Sequence, residues 1–348
     1  MANSQYSDLY KNRNSTELME RKQSDRRQQL LTEQKEHRSN DQDDTRNIKQ
    51  FLQSLQHKVN KKPKKQRLFK NYVQLSEWLH EKPDDLDQWF MVPCPKGMRC
   101  VAVATNGATK IYSKYGVYIT EFRSGLPGDI KLKHATTILD CFSVTSDGIT
   151  KYMVLDVMFY ANTEMLNCES SFRFFWIACK LSELQLDEIG FHNEFAFMPI
   201  KFVDCGDEVA VDSCLTTYPM WDDENIHLDG LLFFHKESSY VHGTTPLVGW
   251  LFSFMVNEIL GFCMIHPKYL EQRPANYQNA AEYIRDFDKQ LKASKARNRN
   301  KRGDKVQKME EEDMDDENAT LNSILNAERM LELEGRTVDD VHETMERD

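Results

Sequence analysis

The sequence predicts an α+β fold with antiparallel sheets, placed between two charged ends. From residue 72 onward, short runs rich in Val, Ile, Phe and Tyr alternate with turn signals such as Asn106-Gly107 and Asp147-Gly148. Strands joined by tight turns pair as hairpins, so we expect antiparallel sheets rather than strand–helix–strand units. The charged residues fall into four blocks of alternating sign, which is typical of one folded centre with solvated ends.

These charge blocks also suggest the domain organisation of the 348 residues, whose net charge is −10. Two blocks are basic: residues 1–70 contain 17 basic and 9 acidic residues, and residues 285–308 contain 10 basic and 3 acidic residues. The other two are acidic: residues 71–284 contain 15 basic and 28 acidic residues, and residues 309–348 contain 3 basic and 15 acidic residues. All five Trp and all eight Cys lie in the acidic centre. We predict a helical N-terminal segment, a basic linker, one folded domain and a flexible, mostly disordered or helical tail, at residues 1–57, 58–71, 72–284 and 285–348.

No membrane or metal site is expected. The apolar run from Pro246 to Ile265 carries Asn257-Glu258 in its middle, and a carboxylate there would cost about 2.5–3.5 kcal/mol in a bilayer, so a buried helix is predicted. The cysteines include no Cys-x-x-Cys pair, which favours reduced thiols over a zinc site. Without an apolar leader at the N-terminus, the sequence predicts a soluble protein of the cytoplasm or nucleus.

The N-terminal segment is predicted to be helical. One helix begins near Ser15-Thr16 and a second stretch, Arg26 to Lys35, contains strong helix formers without Gly or Pro. Its few apolar residues cannot stabilise an isolated helix, so we expect it to order only on a partner. Lys58 to Lys70 then supplies seven basic residues and no acidic one, a pattern read by import receptors or nucleic acid, or simply a solvated linker.

The centre begins with a predicted short helix at Ser76 to His80, which Pro83 ends. Next come predicted strands at 90–93, 100–104, 110–113, 118–122, 136–141, 151–158 and 228–235. A longer element extends from Phe172 to Leu184.

Two of these segments resemble motifs of nucleotidyltransferases such as RNA capping enzymes and ATP-dependent ligases. Leu228-Asp229-Gly230-Leu231-Leu232-Phe233 resembles their Asp/Glu-Gly-hydrophobic-Phe motif, and Val103 to Thr109 occupies the place of their Lys-x-Asp-Gly-x-Arg motif. The resemblance implies the nucleotidyltransferase (mRNA capping guanylyltransferase-like) fold. Ala104 stands at the position of the nucleophilic Lys and Thr109 at that of the Arg, so the covalent chemistry is not expected.

A closer resemblance, over about residues 72 to 265, is to the snurportin family of import adaptors, which read the 2,2,7-trimethylguanosine cap of spliceosomal ribonucleoproteins. The segments that carry it occur in the family's order and include Leu75-Ser76-Glu77-Trp78-Leu79, Cys94-Pro95-Lys96-Gly97-Met98-Arg99, Leu126-Pro127-Gly128, Ile138-Leu139-Asp140-Cys141, Asp229 to Lys236 and Thr245-Pro246-Leu247-Val248-Gly249-Trp250-Leu251.

The resemblance implies a cap site whose residues are Ser76, Trp78, Cys94, Arg99, Lys114 and Trp250. Trp250 matches the Trp that stacks on the base, Ser76 and Trp78 match residues along the base edge, and Lys114 matches the Lys that contacts the triphosphate. A lone Trp is usually a core residue, but Trp250 follows Pro246 and Gly249 in a predicted turn from which its ring could project. Ser76 could otherwise be a helix N-cap, and Asp229 a turn residue.

For the N-terminus the resemblance implies a helix that binds an importin-β-family receptor. The residues that keep the family's frame are Arg26, Arg27, Leu30, Leu31, Lys35 and Arg38. At two positions of this frame where the family has basic residues, this sequence has Gln28 and Gln29. The family's apolar exportin-binding stretch has no counterpart in this sequence. The expected partners are therefore trimethylguanosine-capped snRNA in its ribonucleoprotein and an import receptor, with an exportin in doubt and no cofactor.

Two other functions stay open at this stage. An active nucleotidyltransferase would need a Lys nucleophile, which Ala104 does not provide. An RNA tether would bind through the basic ends and use the centre as a scaffold. The acidic centre favours recognition of an RNA end over broad backbone binding, which requires a positive surface.

Overall fold

Two β-sheets form the centre of the protein. The computed structural model describes residues 16–40, 69, 72–261 and 264–289. Contacts divide the chain into two compact units, Met1–Gln272 and Arg273–Asp348, and both sheets belong to the first. Nearly all of the predicted linker (58–71) and of the predicted tail (285–348) lies outside the described residues.

The first sheet has five strands in the order β1-β12-β11-β2-β10. These strands are β1 (Gln74–Trp78), β2 (Trp89–Pro95), β10 (Val203–Asp204), β11 (Leu228–His235) and β12 (Gly243–Leu251). Strand β1 pairs in parallel with β12, whereas the other neighbours are antiparallel. Strand β1 is therefore an edge strand that joins the sheet from a distant part of the chain.

The second sheet has seven strands. They are β3 (Met98–Thr105), β4 (Ala108–Ser113), β5 (Tyr118–Phe122), β6 (Thr136–Ser146), β7 (Ile149–Tyr160), β8 (Thr163–Glu164) and β9 (Ala196–Pro199). Their order is β5-β4-β3-β6-β7-β8, and β9 pairs in parallel with β7. The predicted turns at Asn106-Gly107 and Asp147-Gly148 are confirmed as two-residue hairpins with positive φ at both residues. The predicted α+β class with antiparallel sheets is confirmed.

The helix predicted at Ser76 to His80 was wrong, because this segment contributes to strand β1. Five residues are too short for the helical and strand periods to be told apart. Pairing with β12 decides the conformation: Gln74, Leu75 and Ser76 lie beside Gly243, Thr244 and Thr245.

The buried helix predicted over Pro246 to Ile265 was also wrong. Strand β12 continues to Leu251, a 3-10 turn spans Ser253–Met255, and only Val256–Leu260 is α-helical. Pro246 lies at a register shift between β1 and β12: Ser76 pairs with Thr245, but the next residue, Glu77, pairs with Gly249. A proline fits at such a shift because it has no N–H to donate to the ladder. Trp250 consequently lies in a strand and not in the predicted turn.

Helices occupy the ends of the described chain and the connections between strands. They are α1 (Thr16–Asn40), α2 (Ser170–Glu183), α3 (Glu208–Thr216), α4 (Val256–Leu260), α5 (Pro267–Leu270) and α6 (residues 280–289). Helix α1 is continuous across both predicted N-terminal stretches. Helix α2, the element predicted from Phe172 to Leu184, buries Phe174, Ile177 and Leu181.

The apolar core lies on both faces of the seven-stranded sheet. Cys100, Ala102 and Ala104 of β3 join one cluster with α2, whereas Val101 and Val103 join another on the opposite face, as the two-residue period of a strand requires. A third group, here called the intersheet cluster, packs the two sheets together. Its buried members are Phe90, Val92, Cys94, Phe142, Val144, Met153, Leu155, Phe174, Ile200, Ile226, Leu232, Phe234 and Val248.

Two buried ion pairs lie beside this core. Arg173 of α2 donates to both carboxylate oxygens of Asp156 at 2.8 Å, and both side chains are almost completely buried. Arg99 of β3 donates to both oxygens of Asp140, at 2.9 and 2.7 Å. Tyr240 joins the second pair by donating its hydroxyl to Asp140 Oδ2 at 2.7 Å. Since Asp140 and Asp156 are partners across β6 and β7, the pairs are neighbours.

Replacing Asp156 with Asn should destabilise the fold strongly, because Arg173 would remain buried without a countercharge. We expect Asp156→Asn to lower the free energy of unfolding by about 3–5 kcal/mol, measured by urea denaturation. Glu183→Gln on the same helix is the matched control: its exposed pair with Lys180 should contribute less than about 1 kcal/mol. Equal losses in the two variants would contradict this assignment.

Candidate functional site

Two tryptophan residues pair at the β1–β12 edge of the five-stranded sheet. Trp78 of β1 and Trp250 of β12 are direct partners in the parallel register. Both side chains are half-buried. The backbone N–H of Leu79 donates to the Trp250 carbonyl at 3.1 Å and continues the ladder past the end of β1. The pairing thus brings together the two aromatic residues that the sequence implicated.

A glycine allows the Trp250 ring to lie against the neighbouring strand. A Cβ at Gly230 of β11 would lie 2.4 Å from Trp250 Cζ2 and 2.9 Å from the Leu251 carbonyl oxygen. Real Cβ atoms do not approach so closely, so only glycine fits beside this ring without displacement. This close approach is the structural role of the Asp229-Gly230 pair, and Asp229 itself lies at the register shift between Leu228 and Gly230.

Ser76 and Cys94 flank the indoles in different ways. Ser76 is half-buried in β1 and faces Thr245 just before the register shift. Cys94 pairs with Gly230 across β2 and β11, and its fully buried thiol belongs to the intersheet cluster. Burial raises the pKa of the Cys94 thiol well above its ordinary value, so it is a neutral, apolar group here.

Arg99 is held by the protein itself. In addition to its two bonds with Asp140, its guanidinium donates to the Gln74 carbonyl at 2.9 Å, where β1 begins. Burial disfavours its charged form, but the Asp140 carboxylate outweighs burial and raises the pKa of Arg99 above its ordinary value. Arg99 therefore keeps its charge and fixes the start of β1.

Lys114 follows β4 and is half-exposed. Its backbone N–H donates to the Arg99 carbonyl at 3.3 Å, so the loop that carries it is attached to β3 beside Arg99. The ammonium lies 5.3 Å from the Tyr115 ring centroid. The Lys114 side chain is thus partly accessible to a ligand from solvent.

The two residues that the sequence motif aligned with a nucleophilic Lys and an Arg are buried. Ala104 is fully buried in the cluster beneath α2. Gly128 approaches it so closely that a Cβ there would lie 2.3 Å from the Ala104 carbonyl oxygen, and its φ of +109° also favours glycine. Thr109 is buried and donates to Asp129 at 2.8 Å. Apolar packing thus surrounds the residue that the sequence motif aligned with a Lys.

Helix α1 is bound to the five-stranded sheet next to the indoles. Arg26 donates to both carboxylate oxygens of Glu77, at 2.9 and 2.7 Å. The buried Arg27 donates to the Pro246 carbonyl at 3.1 Å. Burial lowers the pKa of Arg27, and nearby carboxylates oppose this effect. These contacts cover the edge strand β1.

The C-terminal half of α1 binds the loop between β11 and β12. Lys35 lies 2.8 Å from the Glu237 carboxylate, and Arg38 donates to Ser239 Oγ at 2.8 Å. Ser239 N–H donates to Gln34 at 2.9 Å. We call the acceptor surface formed by Glu77, Trp78, Glu237, Ser239 and Pro246 the α1 seat. Four of the six residues predicted to bind an import receptor contact the folded centre in this way.

Sequence reasoning missed three contributors to these sites. Gln23 is almost fully buried and donates to the Trp78 carbonyl at 3.0 Å, a contact without any local signal. Gly230 was recognised only as part of a motif. Phe252 lies 5.8 Å from the Trp78 ring centroid and 5.9 Å from that of Trp250. Its two-residue spacing from Trp250 was the available signal, because the backbone is still extended at Phe252, just past the end of β12, and residues i and i+2 of an extended segment share a face.

Among the residues that the structure describes, no group of three His, Cys, Asp or Glu side chains is arranged to hold a metal ion. Nor is any helix within the described ranges both long and apolar enough to cross a membrane.

Comparison with known proteins gives one family match and several structural similarities. Residues 72–253 match the family model described as the Snurportin1 m3G cap-binding domain. The ligase domain from M. tuberculosis LigD is similar with a TM-score of 0.37 and 14% identity, over 51% of this chain and 58% of that chain. Chlorella virus DNA ligase-adenylate is similar with a TM-score of 0.32 and 12% identity, over 50% of this chain and 64% of that chain.

Adding a methyl group at Gly230 should displace the Trp250 ring. We expect Gly230→Ala to lower the free energy of unfolding by about 1–3 kcal/mol through overpacking, measured by urea denaturation with indole fluorescence. Gly190→Ala is the control, because its Cβ would meet nothing within 4 Å. If Gly230→Ala unfolds at the same midpoint urea concentration as the control, and its indole fluorescence is unchanged, the close approach is refuted.

Proposed function

The chain belongs to the Snurportin1 m3G cap-binding domain family, and we propose that it is a nuclear import adaptor. In this proposal the folded centre binds the 2,2,7-trimethylguanosine cap of spliceosomal snRNAs, and the N-terminal segment links the ribonucleoprotein to an importin-β-family receptor. The protein would then shuttle between cytoplasm and nucleus. The pair of half-buried indoles within the matched range is the observation that carries the proposal.

The chemistry of the cap suits this pair of indoles. A 7-methylated guanine is positively charged, and a cation over an indole face gains roughly 0.5–2 kcal/mol. We assign stacking to Trp250. Dimethylation of the exocyclic amine removes its hydrogen-bond donors and adds apolar bulk, which suits an apolar wall such as Trp78 and disfavours a carboxylate-lined pocket.

Lys114 is the group proposed to contact the triphosphate, because its half-exposed ammonium can reach an anion. Ser76 would line the base edge from β1. Arg99 and Cys94, which the sequence also placed near the cap, are proposed to act on the protein side: Arg99 fixes the start of β1, and Cys94 lies in the apolar layer beneath Trp250.

The same surface supports a binding protein rather than an enzyme. Covalent nucleotidyl transfer needs a Lys nucleophile, and the corresponding Ala104 is enclosed in apolar core. We therefore propose no catalytic activity. Broad RNA binding through the centre is also disfavoured, because the centre is acidic and phosphate backbones require positive surface.

Receptor binding is proposed to require release of α1 from its seat. Arg26, Arg27, Lys35 and Arg38 bind the folded centre in the structure. One face of a helix cannot bind two partners at once, so a receptor that reads these residues must displace the intramolecular contacts. The basic side chains of these four residues suit an acidic receptor surface, and an exportin partner has no support from the described residues.

Loss of the Trp250 ring should weaken cap binding. Stacking of a base on an aromatic side chain contributes about 1–3 kcal/mol, which corresponds to a loss of about 5- to 150-fold in affinity for Trp250→Ala. The measurement is a titration with trimethylated and monomethylated cap analogues. Trp176→Ala is the control, because Trp176 lies on α2 and packs against Tyr160 of β7. Equal or absent binding of both analogues by the natural protein would refute the cap-binding proposal.

Weakening the α1 seat should strengthen receptor binding. Glu77→Gln with Glu237→Gln removes the carboxylates that bind Arg26 and Lys35, and each exposed pair contributes about 0.2–1 kcal/mol. We expect affinity for an importin-β-family receptor, measured by anisotropy titration, to rise by up to about fivefold per pair. Glu121→Gln, on β5, is the control. Unchanged affinity in the double variant would contradict competition, whereas absence of binding in every variant would contradict the receptor partner itself.

A further inference from the structure

Phe252 contacts both indoles of the candidate cap site at once. Its ring centroid lies 5.8 Å from Trp78 with the planes at 50°, and 5.9 Å from Trp250 with the planes at 78°. The Phe252 side chain is buried, whereas both indoles are half-buried. Phe252 is therefore a buried contact that two partly exposed indoles share.

The position of Phe252 is itself fixed on its other side. Its ring stacks on Phe254 at 5.4 Å and 7°, and its carbonyl accepts from Met255 N–H at 3.0 Å in the 3-10 turn. Ser253 Oγ donates to the Tyr269 carbonyl at 2.6 Å and attaches that turn to α5. A ring held in this way can restrain its neighbours rather than follow them.

Trp250 is consequently enclosed from two directions. Gly230 of β11 lets the strand backbone approach the ring directly, and Phe252 contacts it in a T-shaped arrangement, which aromatic quadrupoles favour. Trp78 shares the same Phe252 contact. Indoles restrained before the ligand arrives lose less side-chain freedom on binding, and this preorganisation improves affinity.

We propose that Phe252 is a positioning residue for recognition of the methylated guanine. By contacting Trp78 and Trp250 together, it sets the geometry in which one indole stacks on the positively charged base and the other contacts the dimethylated amine. This inference rests on the proposed cap binding, and it adds that affinity and selectivity for the trimethylated form depend on a residue that need not touch the ligand.

The test compares Phe252→Leu, which keeps apolar bulk without the ring, with Phe252→Tyr, which keeps the ring. Phe122→Leu is the matched control, because Phe122 is equally buried but belongs to the cluster beneath α2. Affinities for trimethylated and monomethylated cap analogues are measured for each variant. We expect Phe252→Leu to lose about tenfold in affinity for the trimethylated analogue, a change of about 1.4 kcal/mol. We also expect a lower selectivity ratio, which is the affinity for the trimethylated analogue divided by the affinity for the monomethylated analogue.

Phe252→Tyr should retain both the affinity for the trimethylated analogue and the selectivity ratio, and Phe122→Leu should leave the selectivity ratio unchanged. An unchanged ratio in Phe252→Leu would overturn the proposal, as would failure of that variant to fold, since Phe252 would then be a residue of the core alone. Near-ultraviolet circular dichroism of the ligand-free proteins provides a readout independent of cap binding: Phe252→Leu should alter the indole bands more than Phe122→Leu does. If the natural protein binds neither analogue, cap binding fails, and this spectrum alone decides whether Phe252 positions the indoles.

Discussion

The buried pair of Arg99 and Asp140 connects the seven-stranded sheet to strand β1, which carries Trp78. Asp140 and Asp156 belong to β6 and β7 of the seven-stranded sheet. Tyr240, just before β12, donates to Asp140 and accepts from Gln74 N–H at the start of β1. Buried charges stabilise a fold only when their hydrogen bonds are complete. Here Gln74, at the start of β1, takes part in completing those bonds through Arg99 and Tyr240, and this holds β1 beside β12. The candidate site depends on that pairing.

Charge complementarity explains why α1 is ordered on the folded centre. Its apolar residues are too few for an isolated helix, and sequence reasoning therefore expected an external partner. The structure shows individual basic side chains of α1 paired with carboxylates of the acidic centre, as in Arg26–Glu77 and Lys35–Glu237. Arg27 also satisfies the Pro246 carbonyl at the register shift, where β1 and β12 leave a gap in their ladder. The helix thus covers an exposed sheet edge.

Local patterns predicted most strands and the hairpin turns, because alternation and the Asn-Gly and Asp-Gly signals act over a few residues. They failed at Ser76 to His80 and beyond Pro246, where the conformation is set by a partner strand distant in sequence. The candidate site shows the same division. Trp78 and Trp250 could be named from family motifs, whereas Phe252 and Gln23 could not, because their roles follow from neighbours that only the fold supplies.

The sequence by itself determined the α+β class, the acidic centre between basic segments and the family motifs. These features are local in composition or in short motifs. Only the tertiary structure decided that Trp78 lies beside Trp250 and that the Arg99 charge is paired with Asp140. The reason is physical: strand pairing and the burial of charge depend on contacts between segments far apart in the chain, and no short stretch of sequence records which partner a strand or a charge will find.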